Sequence, residues 1–266
     1  MNTENNLKFL FDFIHKAKTP YHTVALAKDA LVSAGFMQIT DISANLEQDG
    51  KYFLISDGSL IAFVNRKAPF RIVSSHTDQP CFKVKCQEDG GVYARLLTEK
   101  YGGMIYHTWL DRPLSIAGRV VVRERAGVLS SCLVTLDEKV VIPSVAIHLM
   151  RQQNESLTLD PKCDLLPLAS ISKEECLTSL IAKKCACDKS DIVSYDLSLV
   201  SADAPTLAGF SNELILSPRI DDLECVAASL LAFLSSYDAN TEITPVFAIF
   251  DNEEVGSDTK DGASST

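Results

Sequence analysis

The hydrophobic pattern at the start of the chain is helical and then becomes strand-like. From Asn6 to Lys18, apolar residues recur three and four positions apart, which predicts an amphipathic helix that Pro20 stops. A second helix is predicted from Thr23 to Ala34, with Gly35 placed to cap its end. Three runs rich in β-formers follow, separated by turn residues: KYFLIS, SLIAFVN and FRIVSSH. The first two runs predict a hairpin, and the third predicts a buried strand.

The middle of the chain has the pattern of a β-rich region. Glycines mark turns after Cys86, and four runs predict strands: GVYARLL, LSIAGRVVVRE, GVLSSCLVTL and EKVVIPSVAIHL. A polar loop, RQQNESLTLDPKCD, separates them from a helix predicted from Ser172 to about Cys185, where Ser172 and Glu175 fit a capping box. The run IVSYDLSLV predicts one more strand.

From Leu214 onward, the pattern alternates between strand and helix. It contains a strand and turn, an apolar helix, a buried strand and an acidic end: LILSPRIDD, LECVAASLLAFLSSY, TPVFAIF and DNEEVGS. This alternation is typical of α/β proteins. The predicted fold class is therefore an α/β domain, formed by residues 1–88 and 206–266, that is interrupted by an inserted β-rich domain, residues 89–205.

Composition and charge narrow the class of protein. The 266 residues carry a net charge of -10, which argues against nucleic acid as a partner. No apolar run approaches the roughly 20 residues of a membrane span, and the N-terminus lacks the pattern of a secretory signal. The eight cysteines include no CxxC pair, so we expect reduced thiols. Together these features predict a cytoplasmic protein without membrane contact.

A first polar cluster, His76-Thr77-Asp78, stands at the carboxyl end of a predicted strand, where ligands gather in open α/β sheets. Residues two apart on an extended backbone point the same way, so Asp78 can orient the imidazole of His76. A metal-bound histidine usually has such a carboxylate behind it. Taken alone, the pattern is also that of a solvated histidine at a polar strand end.

The other two clusters are acidic. Asp221 and Asp222 stand where a strand-like segment meets an apolar helix; either they interact with the helix dipole, or one of them bridges two cations. Residues 251–254 follow a buried strand, as a solvated turn or as carboxylates whose repulsion a cation relieves. One histidine with several carboxylates and no cysteine matches a hydrolytic metal site, and a pair of zinc ions fits best by ligand type.

Six segments of the chain occur together in the order of a known enzyme family: PYHTVA, SSHTDQPCFKVK, YGGMIYHTWLDRPLSIAGRVVV, IPSVAIHL, SPRIDDLECV and FDNEEVGSDTKDGAS. In these segments the sequence resembles the aspartyl aminopeptidase family of cocatalytic zinc metallopeptidases. The resemblance implies a zinc-peptidase-like α/β catalytic domain. It also implies a metalloaminopeptidase that removes unblocked N-terminal Asp or Glu from peptides.

The resemblance further implies roles for single residues. His76, Asp221 and Glu254 would ligate zinc, two ions per complete subunit, with Asp221 bridging both. Asp78 would orient His76, and Glu253 would be the general base that takes a proton from the attacking water. The same resemblance predicts a cis peptide bond between Asp221 and Asp222.

The β-rich insert resembles the dimerisation domain of the same family. His148 in IPSVAIHL would reach into the active site of the neighbouring subunit and stabilise the oxyanion there. On the residues alone, a single histidine in an apolar strand is usually structural. The resemblance therefore predicts a homo-oligomer in which a dimer is the building block of a larger assembly.

The chain departs from the family pattern after DNEEVGS. The family needs another carboxylate and a closing histidine there, and only Asp258 and Asp261 follow, in a different motif context. Without those donors both zinc sites are underligated. The strand TPVFAIF is nearly all apolar, as expected of a central strand, and one edge and part of the face of its sheet are expected to meet water. The expectation is an incomplete catalytic domain with little or no peptidase activity. A non-catalytic truncated homologue that acts only in oligomerisation is the alternative.

Overall fold

The secondary structure is known from a computed structural model that describes residues 3–41, 45–125, 127–171, 176–239 and 242–265. These residues form four α-helices: α1 (Thr3–Lys16), α2 (Pro20–Ser33), α3 (Leu177–Cys185) and α4 (Ile220–Ser236). The strands in chain order are β1 (Met37–Gln38), β2 (Lys51–Ser56), β3 (Ser59–Val64), β4 (Phe70–His76), β5 (Cys81–Asp89), β6 (Ala94–Tyr101), β7 (Leu114–Arg123), β8 (Leu129–Val140), β9 (Leu168–Ser170), β10 (Ile192–Ser201), β11 (Thr206–Ala208), β12 (Leu214–Leu216) and β13 (Thr244–Phe250). Short 3-10 helices span Tyr106–Trp109, Lys189–Asp191 and Glu253–Val255. Within these ranges, no helix is both long and apolar enough to cross a bilayer.

The chain divides into two compact units, one made of Met1–Gln79 with Ala204–Thr266 and the other of Pro80–Asp203. The first boundary falls at residue 79, where the sequence pattern had placed it at 88. The difference arises because β5 pairs antiparallel with β6 and with β10, which keeps the whole strand in the second unit. The second boundary falls at residue 203 instead of the predicted 205.

The two predicted helices at the start of the chain are present with shifted bounds. α1 ends at Lys16 and α2 begins at Pro20, a residue that the sequence pattern had treated only as a stop. Proline suits the first turn of a helix, because the N–H that it lacks would have no intrahelical partner there. Gly35 follows the end of α2 with a φ of 84°, the left-handed conformation expected after a helix.

The first unit is built on a five-stranded sheet with the strand order β1-β2-β3-β13-β4. β2 and β3 form the predicted hairpin, in which Ser56 pairs with Ser59 next to the turn. β13 pairs antiparallel with β3 and parallel with β4, so both of its edges are hydrogen-bonded. Its apolar sequence fits this central position, because a strand buried on both faces has no polar side.

β4 lies at the edge of this sheet, and its exposure corrects one prediction. FRIVSSH is not the buried strand that the sequence predicts, since Phe70, Ile72 and Val73 are 72%, 62% and 40% exposed. The physical reason is that β4 has a strand partner on one side only among the described residues. Apolar composition indicates a strand here but does not show what covers it.

The core of the first unit is formed by α1, α2 and α4 packed against β2, β3 and β13. Fully buried side chains come from each of these layers: Ile14, Leu31, Phe53, Leu230 and Phe247. Phe233 of α4 stacks on Phe247 of β13 with 5.8 Å between ring centroids. Each large apolar side chain removed from water contributes about 1.5–3 kcal/mol. This packing fixes the central strands whose ends carry the polar clusters.

The second unit is built on a six-stranded sheet with the order β8-β7-β10-β5-β6-β9, in which each neighbouring pair is antiparallel. α3 packs against it, and the core includes large buried residues from the helix and five of the strands: Phe82, Leu96, Leu114, Leu136, Ile181 and Leu199. The structure therefore confirms the predicted β-rich region.

Two predicted elements of the second unit differ from the structure. The segment EKVVIPSVAIHL is not one strand, because β8 ends at Val140 and His148 lies in a turn. Pro143 lacks the N–H that a strand ladder needs, which explains why the strand does not continue. α3 begins at Leu177, and the predicted capping box of Ser172 and Glu175 lies outside the described residues.

The exposed edge of β4 predicts concentration-dependent self-association, because an unpaired edge with apolar side chains can pair with another chain. The Ile72→Lys variant should show a lower average mass than the unchanged protein when both are measured by light scattering at high concentration. Val32→Lys is the matched control, since Val32 is 53% exposed on a helix and not on a sheet edge. Equal masses for Ile72→Lys and the unchanged protein would contradict the prediction.

Candidate metal centre

Two of the three polar clusters meet because β4 and β13 run parallel. Phe250, the last residue of β13, pairs in register with His76, the last residue of β4. Parallel strands end at the same edge of a sheet, so the segment after His76 and the segment after Phe250 leave the sheet side by side. The sequence pattern predicted this convergence at the carboxyl ends of the strands.

His76 is held between carboxylates on both sides of its ring. Its Nδ1 atom lies 3.3 Å from Oδ1 of Asp78, and its Nε2 atom lies 3.2 Å from Oδ1 of Asp221. The backbone N–H of His76 donates to Oδ2 of Asp222 at 3.0 Å. The ring is therefore oriented from behind by Asp78, and its other nitrogen points towards the start of α4.

Asp78 connects the end of β4 to the turn after β13. Its carboxylate is 1% exposed, and it accepts the N–H of Glu253 on Oδ1 and the N–H of Glu254 on Oδ2, each at 3.1 Å. A buried carboxylate is stable only when its oxygens are paired. These two backbone donors, with the ring of His76, satisfy Asp78 and fix the 3-10 helix that carries both glutamates.

The start of α4 differs from an ordinary helix cap. The peptide bond between Asp221 and Asp222 is cis, as predicted, and both residues have non-helical backbone angles. The cap residue is Arg219, whose side chain makes no cap hydrogen bond. The carboxylate of Asp222 accepts from His76 of β4 instead. Capping alone therefore does not account for the paired aspartates.

The carboxylates around His76 stabilise its charged form. Burial by itself would lower the pKa of His76, but the hydrogen bond to Asp78 and the charges of Asp78, Asp222 and Glu253 raise that pKa to about 9. Because the folded pKa lies above the ordinary value of 6.5, the charged imidazole stabilises the fold fully below pH 6.5. That contribution is lost as the pH rises through about 9.

The donor atoms of the site suit a divalent cation. One ligand atom each from His76, Asp221 and Asp222 lie within 4.8 Å of one another. Imidazole nitrogen and carboxylate oxygen are zinc ligands. The side chain of Asp221 is 85% exposed, so the cluster is open to solvent on that side. The residues present therefore fit zinc by chemical type and by spacing.

Glu254 stands within electrostatic reach of this cluster. Burial, followed by the charges of Asp78, Glu253 and Asp221, raises the pKa of Glu254, while the charge of His76 opposes the shift. Carboxylates crowded in this way repel one another unless a cation or a proton is shared among them. A bound cation would remove this cost, which is a second reason that the site fits a metal.

The structure gathers most of the predicted site residues and adds one. His76, Asp221 and Asp222 form the donor cluster, so Asp222 has a place in the site that the sequence analysis did not assign. The doubled acidic pair was a visible signal, but the sequence did not show which carboxylate turns towards His76. His148 belongs to the second unit, where it is exposed in a turn.

Three other features lie outside this cluster. His22 has a structural role: its Nδ1 lies 2.8 Å from Oγ1 of Thr19, and burial, with the charge of Lys18, lowers its pKa to about 4. Asp261 supports the β2–β3 hairpin, since its carboxylate accepts from Ser56 Oγ at 2.5 Å. The eight cysteines, all within the described ranges, form no disulfide.

With this geometry established, comparison with known proteins identifies the family. The family model described as Aminopeptidase I zinc metalloprotease (M18) matches residues 13–266. The chain belongs to the M18 family. The resemblance seen in the six sequence segments is thereby confirmed.

Curated members of the M18 family are similar along nearly the whole chain. Probable M18 family aminopeptidase 2 of Clostridium acetobutylicum is 39% identical over 282 aligned residues, which cover 98% of this chain and 65% of that protein. Aspartyl aminopeptidase 1 of Schizosaccharomyces pombe is 34% identical, and the alignment covers 98% of this chain and 63% of that protein. The M18 chain therefore spans less than two thirds of the length of these relatives.

Solved M18 structures share the fold of both units. The structure of the mApe1 dodecamer of S. cerevisiae matches with a TM-score of 0.83 at 27% identity, over 98% of this chain and 63% of that one. Similarity at this level, over nearly all of the M18 chain, confirms the α/β fold with its β-rich insert.

The contact between His76 and Asp78 predicts a measurable titration in the metal-free M18 chain. The Asp78→Asn variant should lower the pKa of His76 by about 1–3 units, because it removes the charge that favours the imidazolium. The measurement is the pH dependence of the imidazole proton shifts in NMR spectra. His22, whose pKa is lowered to about 4, serves as an internal control and should not respond. An unchanged midpoint for His76 would show that Asp78 does not set its charge.

Proposed function

We propose that the M18 chain contributes residues to the active site of a metalloaminopeptidase, an enzyme that removes N-terminal residues from peptides with a free amino terminus. The convergence of His76, Asp221 and Asp222 at the turn that carries Glu253 and Glu254 supports this proposal most strongly. His76, Asp221 and Glu254 are the proposed zinc ligands, two ions per complete subunit. Asp222 completes the cluster as a carboxylate that fixes the backbone of His76.

Glu253 is the proposed general base. It is exposed on the 3-10 helix after β13, and its charge reaches His76. Bound zinc would polarise the scissile carbonyl and lower the pKa of the attacking water. Glu253 would take the proton from that water and return it to the leaving amine. Asp78 would keep the ring of His76 and the backbone of Glu253 in fixed positions during both transfers.

The proposed substrates carry an N-terminal Asp or Glu. The support is the name of the relative in Schizosaccharomyces pombe, an aspartyl aminopeptidase. The net charge of -10 does not attract acidic peptides over long distances. Selectivity for an acidic side chain would therefore depend on local contacts at the site.

We also propose a homo-oligomer, built from dimers, in which His148 reaches the active site of a neighbouring subunit. His148 lies in an exposed apolar segment of the second unit, with Val145, Ile147, Leu149 and Met150 from 40% to 83% exposed. Exposed apolar segments of this kind are typical of subunit interfaces. The proposed location is the cytoplasm, which suits a protein with eight cysteines and no disulfide in its described residues.

A second candidate function is oligomerisation without catalysis. It is favoured by the number of donors, because a zinc ion usually takes four ligands and the described cluster offers three donor residues, one imidazole and two carboxylates. We therefore expect this chain by itself to hydrolyse peptides slowly or not at all. Hydrolysis of an N-terminal aspartyl substrate that requires zinc and is lost in Glu253→Gln would contradict that expectation.

Zinc binding distinguishes a metal centre from an acidic turn. Isothermal titration calorimetry of the purified chain should show zinc binding. In His76→Ala the zinc dissociation constant should rise at least about tenfold, because an imidazole ligand is lost. Glu253→Gln should bind zinc as the unchanged chain does, since a general base is not a ligand. His107→Ala, which removes an exposed histidine of the second unit, is the matched control. Absence of zinc binding by the unchanged chain would favour the second candidate function.

The role of His148 can be measured in an assembled sample that hydrolyses an aspartyl substrate. His148→Phe should lower kcat by about 100-fold or more, which is the usual effect of removing one oxyanion donor, while the oligomer stays assembled. Steady-state kinetics with an aspartyl substrate and light scattering give the two readouts. Normal turnover in the assembled variant would show that His148 is structural.

A further inference from the structure

The turn between β2 and β3 contacts the end of β4. The carbonyl oxygen of Gly58 accepts a hydrogen bond from Thr77 Oγ1 at 2.7 Å. Thr77 is fully buried and stands between His76 and Asp78. Its N–H donates to the carbonyl oxygen of Phe250 at 2.8 Å. The hairpin turn therefore fixes the backbone that separates the histidine from the carboxylate behind it.

The same turn contacts the end of β13. A methyl group placed on Gly58 would lie 2.6 Å from Cγ and 2.9 Å from Cβ of Asp251, closer than real Cβ atoms approach other heavy atoms. Asp251 is buried, so it has little room to move away. Its N–H also donates to Oγ of Ser59, the residue after Gly58, at 2.8 Å. Gly58 and Ser59 thus hold Asp251 from one side.

Asp251 in turn shapes the segment that carries the glutamates. Its Oδ1 accepts the N–H of Asn252 at 2.7 Å, and Asn252 has a left-handed φ of 64°. This turn sends the chain back so that the N–H groups of Glu253 and Glu254 reach the carboxylate of Asp78. A displacement of Asp251 would move these two N–H groups away from Asp78.

The need for glycine at position 58 comes from this approach and not from the turn itself. In the turn, Asp57 has the left-handed φ of 45°, whereas Gly58 does not adopt a positive φ. The turn therefore does not require at position 58 the left-handed conformation that favours glycine. The three atoms nearest to the added methyl group all belong to the side chain of Asp251.

We propose that Gly58 and Asp251 are positioning residues for the candidate metal centre, which hold the Glu253–Glu254 turn against Asp78. The contacts themselves are observed in the first unit. Their relevance to catalysis rests on the proposed function. Gly58 and Asp251 do not touch a substrate in this proposal. They act through the backbone of Thr77, Glu253 and Glu254.

Amide hydrogen exchange of the metal-free chain tests the positioning role directly. In Gly58→Ala, the Glu253 and Glu254 amides should exchange at least tenfold faster, while amides of α2 and of the central β2–β3 ladder should change less than twofold. A purely structural role would instead speed exchange throughout the first unit. Gly103→Ala is the matched control, because a methyl group there meets no atom within 4 Å. It should leave both glutamate amides unchanged.

Two further variants test the same proposal if Gly58→Ala does not fold. Asp251→Ala should speed exchange of the same two amides, and adding Gly58→Ala to it should have little further effect, because the two changes disturb one contact. Thr77→Val, which removes the hydroxyl that bonds Gly58, should speed them severalfold. The proposal would be overturned if these variants exchanged faster at amides throughout the first unit, or if the exchange of the Glu253 and Glu254 amides did not change.

A cobalt titration separates failure of this inference from failure of the proposed function. If the unchanged chain binds Co²⁺ with a visible absorption band, Gly58→Ala should shift or weaken that band, whereas Gly103→Ala should not. An identical band in Gly58→Ala would overturn the positioning role while leaving the metal centre intact. If the unchanged chain binds no Co²⁺, the metal proposal fails, and the exchange experiment still decides whether Gly58 holds the glutamate turn.

Discussion

The candidate site depends on the buried carboxylate of Asp78. A charged group that is 1% exposed is costly unless its oxygens are fully used, and here the donors come from His76, Glu253 and Glu254. These donors belong to segments that are far apart in the chain and follow different strands. By requiring all three, Asp78 connects the position of the histidine to the position of the glutamates.

The strand order of the five-stranded sheet makes that connection possible. It also explains why apolar side chains of β4 are exposed. Parallel pairing of β4 with β13 places His76 opposite Phe250, so the segments that follow them start together. The same strand order puts β4 at the edge, with Phe70 and Ile72 exposed. Among the described residues, the strand that carries the histidine therefore pairs with β13 on one side and with no strand on the other.

Much of this architecture is predictable from residue patterns, and the exceptions have specific causes. The β2–β3 hairpin and the central strand β13 follow from the alternation and apolar content of their sequences. The expected strand through His148 fails because Pro143 cannot continue a ladder. Burial of β4 was predicted wrongly because apolar content does not report which neighbours a strand has. The contact between Asp222 and His76 cannot be predicted from local pattern, because the two residues are 146 positions apart.

The sequence by itself determined the three polar clusters, their places at the ends of elements, the family and the cis bond between Asp221 and Asp222. These features are local or are carried by motifs, so they survive without knowledge of the fold. Only the tertiary structure decided that Asp78 receives both glutamate N–H groups, that Asp222 turns to His76, and that Gly58 leaves room for Asp251. The reason is physical: each of these contacts joins residues whose proximity is created by strand order and close packing, which no spacing along the chain records.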